Sequence, residues 1–336
     1  MRAYRLAQPG SIDGLTKVDL PTPKPGDRQV LVKVAAWSLN YRDLMICLGQ
    51  YRAGARPNLI PLSDGAGEVV EVGAGVTRVK PGDRVASCFF QRWPGGEQWP
   101  DTQASALGGG RDGMLAEYVV LEDEGVVKVP GHLSMEAAAT LPCAALTAWH
   151  ALVEHGRLAA GHTVLVQGTG GVSIFALQFA HMMGAQVIAT SSSDDKLERA
   201  KRLGAMHGIN YKRNAGWDKA AVELTGGRGV DQVVEVGGAG TFARSLAAIR
   251  SGGKISVIGV LSGQAEINPT LILARRANVQ GISVGSTQMF EAMNRAIAAG
   301  GLKPIIDKVF GFDETQAAYR HLQSASHFGK VVISLG

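Results

Sequence analysis

Over the first 130 residues, apolar and polar positions alternate in short runs. Val30-Leu31-Val32-Lys33-Val34 and Gly67-Glu68-Val69-Val70-Glu71-Val72 have strand length and β-branched character, and Pro25-Gly26 and Pro81-Gly82 punctuate them. Residues 113–120 predict a further strand. Residues 89–112, rich in Gly, Pro, Trp and Gln, read as a long surface loop. The rhythm changes near Ser134, a capping residue followed by the strong helix formers Met135-Glu136-Ala137-Ala138-Ala139. Strands are then predicted at 163–167, 186–190, 232–236, 254–258 and 279–284. Helices fill the gaps, for example at 194–203 and 241–249. This βα alternation predicts an α/β fold with a doubly wound parallel sheet covered by helices on both faces. The last stretch, 305–336, holds one helix (313–323) and a strand (330–335) that the pattern suggests returns to the β-rich part.

The chemistry concentrates where the first strand of the alternating part ends. Val164-Leu165-Val166-Gln167 feeds Gly168-Thr169-Gly170-Gly171-Val172-Ser173, and a helical pattern follows. Gly168 permits a tight turn, and Gly170 lets the backbone approach a pyrophosphate at the helix start. Ser173 stands where a third glycine is usual, and it is small enough for close packing. A strand before and a helix after make this a dinucleotide-binding turn, with Gly171 and Val172 in its first helical turn.

Composition narrows the classes. Of 336 residues, 46% are hydrophobic and 19% charged, which excludes a disordered chain and allows two domains. The formal charge is only +5, without a basic block, which argues against nucleic acid as partner. Cys47, Cys88 and Cys143 are far apart and odd in number, which fits a reducing cytoplasm. The N-terminus lacks the apolar core of a signal peptide, and no apolar run reaches membrane-spanning length, so a soluble protein is expected.

Three further motifs join the central glycine turn: Gly67–Gly73 followed by Val79-Lys80-Pro81-Gly82-Asp83-Arg84-Val85; Ala138-Ala139-Thr140-Leu141-Pro142; and Gly329-Lys330-Val331-Val332-Ile333. With them the whole chain resembles the medium-chain dehydrogenase/reductase superfamily. Within it, the chain is similar to zinc-type alcohol dehydrogenase-like proteins without zinc ligands, to quinone oxidoreductases and to polyketide enoyl reductases. The resemblance implies a GroES-like catalytic domain (1–133 and 301–336) and a Rossmann cofactor domain (134–300). It also implies a homodimer in which 279–284 pairs sheet edges across a two-fold axis.

The zinc members have a cysteine where this chain has Asn40, a histidine at the position of Ser63 with an acidic neighbour at Asp64, and a cysteine matching Cys143. Amide and hydroxyl groups are poor zinc ligands, so no zinc is expected. The strand 186–190 ends in Ser191-Ser192-Ser193 with no carboxylate at its tip to repel a 2′-phosphate. Ser191, Ser192, Lys196 and, by resemblance, Tyr211 favour NADPH over NADH. Asp194 is read as a helix cap, or as a ribose ligand if NADH is used. By position, Thr147, Val236, Gly237, Gly259, Leu261 and Lys330 join the cofactor contacts. Lys330 is read as reaching the phosphate or the active site, or as a surface lysine on an edge strand.

Without a metal, the acceptor must already be activated, which favours hydride transfer to a conjugated carbonyl or quinone. Catalytic candidates are Asn40, Tyr41, Tyr51 and Asp64. Asn40 serves as a donor to a carbonyl oxygen or the nicotinamide ribose, or as a structural amide. Asp43 reads as a helix-start residue, and Asp64 as a partner of Asn40 or Arg42. The segments 89–112 and 287–295 are expected to shape the substrate pocket. Two alternatives stay open: a metal-free alcohol or aldehyde dehydrogenase, and a non-catalytic NADPH-binding sensor.

Overall fold

The computed structural model describes residues 1–51, 56–259 and 266–336. Its strands are β1 (Arg2–Leu6), β2 (Leu15–Asp19), β3 (Gln29–Leu39), β4 (Asp64–Val72), β5 (Arg84–Ser87), β6 (Tyr118–Glu122), β7 (Val126–Lys128), β8 (Thr163–Gln167), β9 (Gln186–Ser191), β10 (His207–Asn210), β11 (Val230–Glu235), β12 (Ile249–Val257), β13 (Asn278–Gly281), β14 (Ile306–Gly311) and β15 (Lys330–Ser334). The helices are α1 (Tyr41–Cys47), α2 (Met135–Ala139), α3 (Leu146–Trp149), α4 (Gly171–Met182), α5 (Asp194–Arg202), α6 (Trp217–Leu224), α7 (Phe242–Ala248), α8 (Pro269–Arg275), α9 (Thr287–Gly300) and α10 (Thr315–Gln323).

Two compact units form: Met1–Leu146 with Val284–Gly336, and Thr147–Ser283. In the first, the sheet runs β14-β15-β3-β4-β5-β7, with β6 also on β3. The long β3 is the spine, antiparallel to β4, β6 and β15. The returning strand read from the sequence is β15, parallel to β14 and buried at all five positions. Trp37, Leu39, Ile46, Phe312, Tyr319, Val331 and Ile333 belong to the core beneath this sheet. The Trp37 indole N–H is not stranded there, because it donates to the Met114 carbonyl.

Three expectations about this unit change. The strand predicted over 113–120 begins only at Tyr118; before it, Leu115 and Ala116 make single contacts to Tyr4 and Ala3 instead of a ladder. The loop 89–112 is not merely superficial, because Phe89, Phe90, Trp93 and Leu107 are buried anchors. Residues 134–146 and 284–300, expected with the cofactor domain, lie in the first unit. Helix α2 packs on β3 and β4, and Glu136 accepts a hydrogen bond from Ser334 (3.0 Å). The start of α9 is tied to the loop, since Thr287 and Gln288 N–H donate to the Trp93 and Pro94 carbonyls (3.0 and 2.9 Å).

The second unit is the predicted parallel sheet, in the order β10-β9-β8-β11-β12-β13. All its neighbouring pairs are parallel. Strands β8 and β11 are buried throughout, as a sheet covered on both faces requires. They are also the neighbours at which the strand order reverses, so their carboxyl ends frame the crevice where such sheets bind ligands. The predicted helices appear as α5 and α7, with ends shifted by one residue. Two π-helical turns, Leu141–Ala145 and His150–His155, left no mark in the sequence pattern. Such turns are rare and concentrate near functional sites.

Candidate active site

In the second unit, β8 delivers the chain to the glycine turn. Gly168 adopts φ +70°, a left-handed conformation that glycine enters without strain. Its N–H donates to Thr190 Oγ1 (3.3 Å), tying the turn to the tip of β9. Gly170 precedes α4, and a Cβ built there meets nothing within 4 Å. The turn therefore leaves an open cradle in front of the first-turn N–H groups of Gly171 and Val172, which have no carbonyl to meet within their own helix. At the third-glycine position, Ser173 turns its hydroxyl back to the Gln167 carbonyl (2.6 Å).

A buried carboxylate beneath this turn was not legible in the sequence. Glu235 ends β11, fully buried. Its Oε1 accepts from Gly237 N–H, Gly238 N–H (both 2.8 Å) and Thr241 Oγ1 (2.5 Å). Its Oε2 accepts from Gln167 Nε2 (2.7 Å) and from Ser245. Gln167 in turn accepts from Val236 and Gly237 N–H (3.3 and 3.2 Å). The Gln167–Glu235 pair thus joins the ends of β8 and β11 and fixes the backbone of the predicted contacts Val236 and Gly237. Gly259 lies close by: a Cβ there would meet the Val236 carbonyl at 1.8 Å, so only glycine fits. Thr147 is buried. Leu261 lies outside the described residues.

At the tip of β9 the serines divide their work. Ser193, not Asp194, caps α5, accepting from Lys196 N–H. Asp194 accepts from Asn210 Nδ2 (2.7 Å) and pairs with Arg213 (2.6 Å). The buried Ser191 accepts from Ser193 N–H (3.2 Å), and its carbonyl accepts from Tyr211 N–H (3.0 Å). Ser192 and Lys196 are half-buried, and the Tyr211 ring is exposed.

In the first unit, β3, α1, β4, the turn after α2 and β15 bring a polar cluster together. Lys330 is only 2% exposed, so it is no surface lysine. Its ammonium donates to the Leu39 carbonyl (2.7 Å) and to Asn40 Oδ1 (2.6 Å), and lies 3.9 Å from Asp64 Oδ2. Asn40 precedes α1. Its backbone N–H donates to Asp43 Oδ2 (2.8 Å), so Asp43 is the helix-start residue the sequence suggested. Asn40 Nδ2 finds no hydrogen-bond partner among the described residues.

Asp64 was expected to pair with Asn40 or Arg42. It accepts from Ser63 Oγ (2.7 Å) and Cys143 N–H (3.2 Å), and the nearby Asn40 side chain favours its charge, while Arg42 pairs with Asp43 (3.0 Å) instead. Burial raises the Asp64 carboxyl, against the pull of Lys330. Burial also pushes Asp43 up to about 6, opposed by Arg42. The Arg42 guanidinium covers the rings of Phe89 (4.7 Å) and Tyr51 (5.4 Å). Tyr51 therefore joins the cluster's margin. Tyr41 is 47% exposed and stands apart from these contacts.

Two family models match the chain: the alcohol dehydrogenase GroES-like domain over 26–131 and zinc-binding dehydrogenase over 171–299. A zinc-type alcohol dehydrogenase-like protein of Schizosaccharomyces pombe is 46% identical over 320 residues, covering 93% of this chain and 91% of that one. The chain belongs to the medium-chain dehydrogenase/reductase superfamily. It is an oxidoreductase of the alcohol dehydrogenase-like and quinone oxidoreductase-like kind. The quinone oxidoreductase of Homo sapiens is 28% identical over 344 residues, covering 100% of this chain and 98% of that one. Among solved structures, an NAD-dependent alcohol dehydrogenase superposes with a TM-score of 0.89 at 34% identity, covering 100% of both chains. A mycobacterial protein complexed with NADPH superposes with a TM-score of 0.83 at 27% identity, covering 99% of each. Together with the open cradle at Gly170, these likenesses support a nicotinamide cofactor for this oxidoreductase.

The second family description raises the question of zinc, and the residues present do not fit that ion. Among the described residues, no three His, Cys, Asp or Glu side chains gather as a ligand set. Around Asp64, the Asn40 oxygen is taken by an ammonium, and Ser63 offers only a hydroxyl already donated to the carboxylate. Cys143 is left as a single sulfur ligand, which cannot hold the ion by itself.

Proposed function

We propose that this oxidoreductase uses NADPH, without zinc, to reduce a conjugated carbonyl or a quinone. The observation that carries the reading is the buried Lys330–Asn40–Asp64 cluster. It offers a neutral N–H donor at Asn40 where zinc relatives need a metal-ligand set. A hydrogen bond polarises a carbonyl less than a metal does, so it suits an acceptor whose charge already spreads through conjugation. When bound, NADPH supplies a hydride to the electrophilic carbon of that acceptor. The role of Asn40 is to donate to the acceptor oxygen as negative charge grows on it. Asp64 and Lys330 keep the amide in place, and Tyr51 lines the approach.

On the second unit, the Gly168–Val172 backbone would hold the pyrophosphate. Thr147, Val236, Gly237 and Gly259 would border the nicotinamide end. Ser191, Ser192, Lys196 and Tyr211 suit a 2′-phosphate. The first carboxylate after the β9 serines, Asp194, is engaged by Asn210 and Arg213, which favours NADPH over NADH. The three cysteines are free thiols, which suits a cytoplasmic setting. No helix among the described residues is long and apolar enough to cross a membrane.

A second copy of the chain is the proposed partner. Among the described residues, strand β13 pairs with β12 and with no other strand. Beside it in sequence, α8 buries no residue and exposes Leu271 and Leu273, the latter 78% exposed. Open edges and apolar patches of this kind call for cover.

The test is NADPH oxidation against a panel of quinones, enones and simple aldehydes, repeated with NADH, with metal analysis of untreated protein. Reduction of quinones or enones, tighter NADPH binding and substoichiometric zinc are expected. Stoichiometric zinc needed for turnover would overturn the reading, as would activity confined to simple alcohols and aldehydes.

A further inference from the structure

A primary amide can sit in most sites either way round, exchanging an acceptor for a pair of donors. At Asn40 the neighbours remove that freedom. The Lys330 ammonium 2.6 Å from the amide carries only donors, so the atom facing it must be oxygen. Lys330 is itself anchored by the Leu39 carbonyl at 2.7 Å, so the lock does not drift. On the other side, the Asp64 carboxylate lies 3.9 Å from the same ammonium and keeps it facing the amide oxygen. The result is a buried amide nitrogen without a hydrogen-bond partner. An orphan donor of this kind costs stability, and that cost is recovered when an acceptor arrives.

We infer that Lys330 and Asp64 are positioning residues that lock the Asn40 amide with its N–H end presented to an incoming neutral oxygen. The inference rests on the proposed reading for the identity of that oxygen. Two sources share the chemistry: the carbonyl of the substrate, and the carboxamide or ribose hydroxyl of the cofactor. A carboxylate is disfavoured, because Asp64 flanks the donor.

The experiment compares wild type with Asn40→Ala, with Lys330→Met, with Lys330→Met/Asp64→Asn, which strands neither buried charge, and with the triple variant that adds Asn40→Ala. Three quantities are read: the NADPH Kd, kcat/KM for an enone or quinone, and hydrogen exchange of the ¹⁵N-labelled Asn40 side-chain amide, recognised by its loss in Asn40→Ala. Asn40→Ala should lower one of the first two by about 10- to 100-fold. The charge-free lock variant should lower the same quantity comparably and speed exchange of the Asn40 amide by about tenfold or more, with the triple variant no more than about threefold worse, since the residues act as a unit. A fall in kcat/KM at constant Kd assigns the oxygen to the substrate, whereas a weakened Kd assigns it to the cofactor. Losses that multiply, or amide exchange unaltered in the lock variant, overturn the inference. If the Kd and exchange respond as expected while wild type reduces no acceptor, the proposed activity fails and the lock stands.

Discussion

Single residues decide which ligands this protein can hold. Gly170 has an ordinary φ of −78°, so valine is sterically allowed there by the backbone. Its side chain would occupy the space that the cradle keeps open. Gly170→Val should therefore weaken NADPH binding by tenfold or more, on the order of 1.4 kcal/mol, with an unchanged melting temperature; calorimetric titration beside a thermal scan checks this. Ser192 tests the choice of nicotinamide. Ser192→Glu places a second carboxylate beside the β9 tip, and the NADPH-to-NADH preference should fall about tenfold or more by like-charge repulsion. Roles that follow from residue type and spacing were readable in advance: Gly168 for its turn, Ser134 as a cap, Asp43 as a helix start. For Lys330 the sequence left a site residue and a surface lysine both open, because burial and partners depend on which strands flank it, and a lysine in sequence carries no sign of either.

At the scale of elements, the sheet of the second unit is held at both ends by buried carboxylates. Glu235 closes the carboxyl end. Asp231 works at the other end of β11, accepting from Thr163 N–H (2.9 Å), from Arg228 (2.7 Å) and from Arg250 (2.6 Å). Burial opposes the Asp231 charge, but these donors outweigh it and hold the carboxyl well below its usual range. Since the folded pKa lies below the unfolded one, this stabilisation is present above the unfolded pKa and is lost as pH falls through the folded value. Asp231→Asn should cost about 2 kcal/mol near neutral pH, reduced from a fully buried pair because both arginines reach solvent. The difference from wild type should shrink below about pH 4. Urea melts of both proteins across pH test it; a constant difference would remove the ionic account. Periodicity located α4, α5, α7 and five of the six strands of the second sheet. It missed β10, β14 and the π-helical turns, since neither short edge strands nor an extra residue per turn disturb an apolar pattern enough to be seen.

At the scale of the whole molecule, the β13 edge that no described strand pairs and the exposed Leu273 should be covered by a second copy. Leu273→Lys is expected to shift the protein from dimer to monomer in sedimentation velocity at micromolar concentration, while NADPH affinity holds. A monomeric wild type would remove this part of the proposal. The division of the chain also belongs to this scale. Residues 284–300 were expected beside the Rossmann strands because they follow β13 directly in sequence. They lie in the first unit, where the start of α9 meets Trp93 and Pro94 and Asn294 Nδ2 donates to the Lys128 carbonyl (3.0 Å).

Sequence alone was enough for what is local or periodic: the βα alternation, the glycine turn, and the poor zinc ligands at the positions of Asn40 and Ser63. These depend on backbone freedom, side-chain chemistry and the two repeat lengths of helix and strand. Only tertiary structure decided what needs distant segments to meet. Lys330 reaches Asn40 because β15 lies beside β3, and Glu235 meets Gln167 because β8 and β11 are neighbours. An ion or hydrogen-bond pair is a property of distance, and chain separations of 290 and 68 residues set no distance until the sheet assembles.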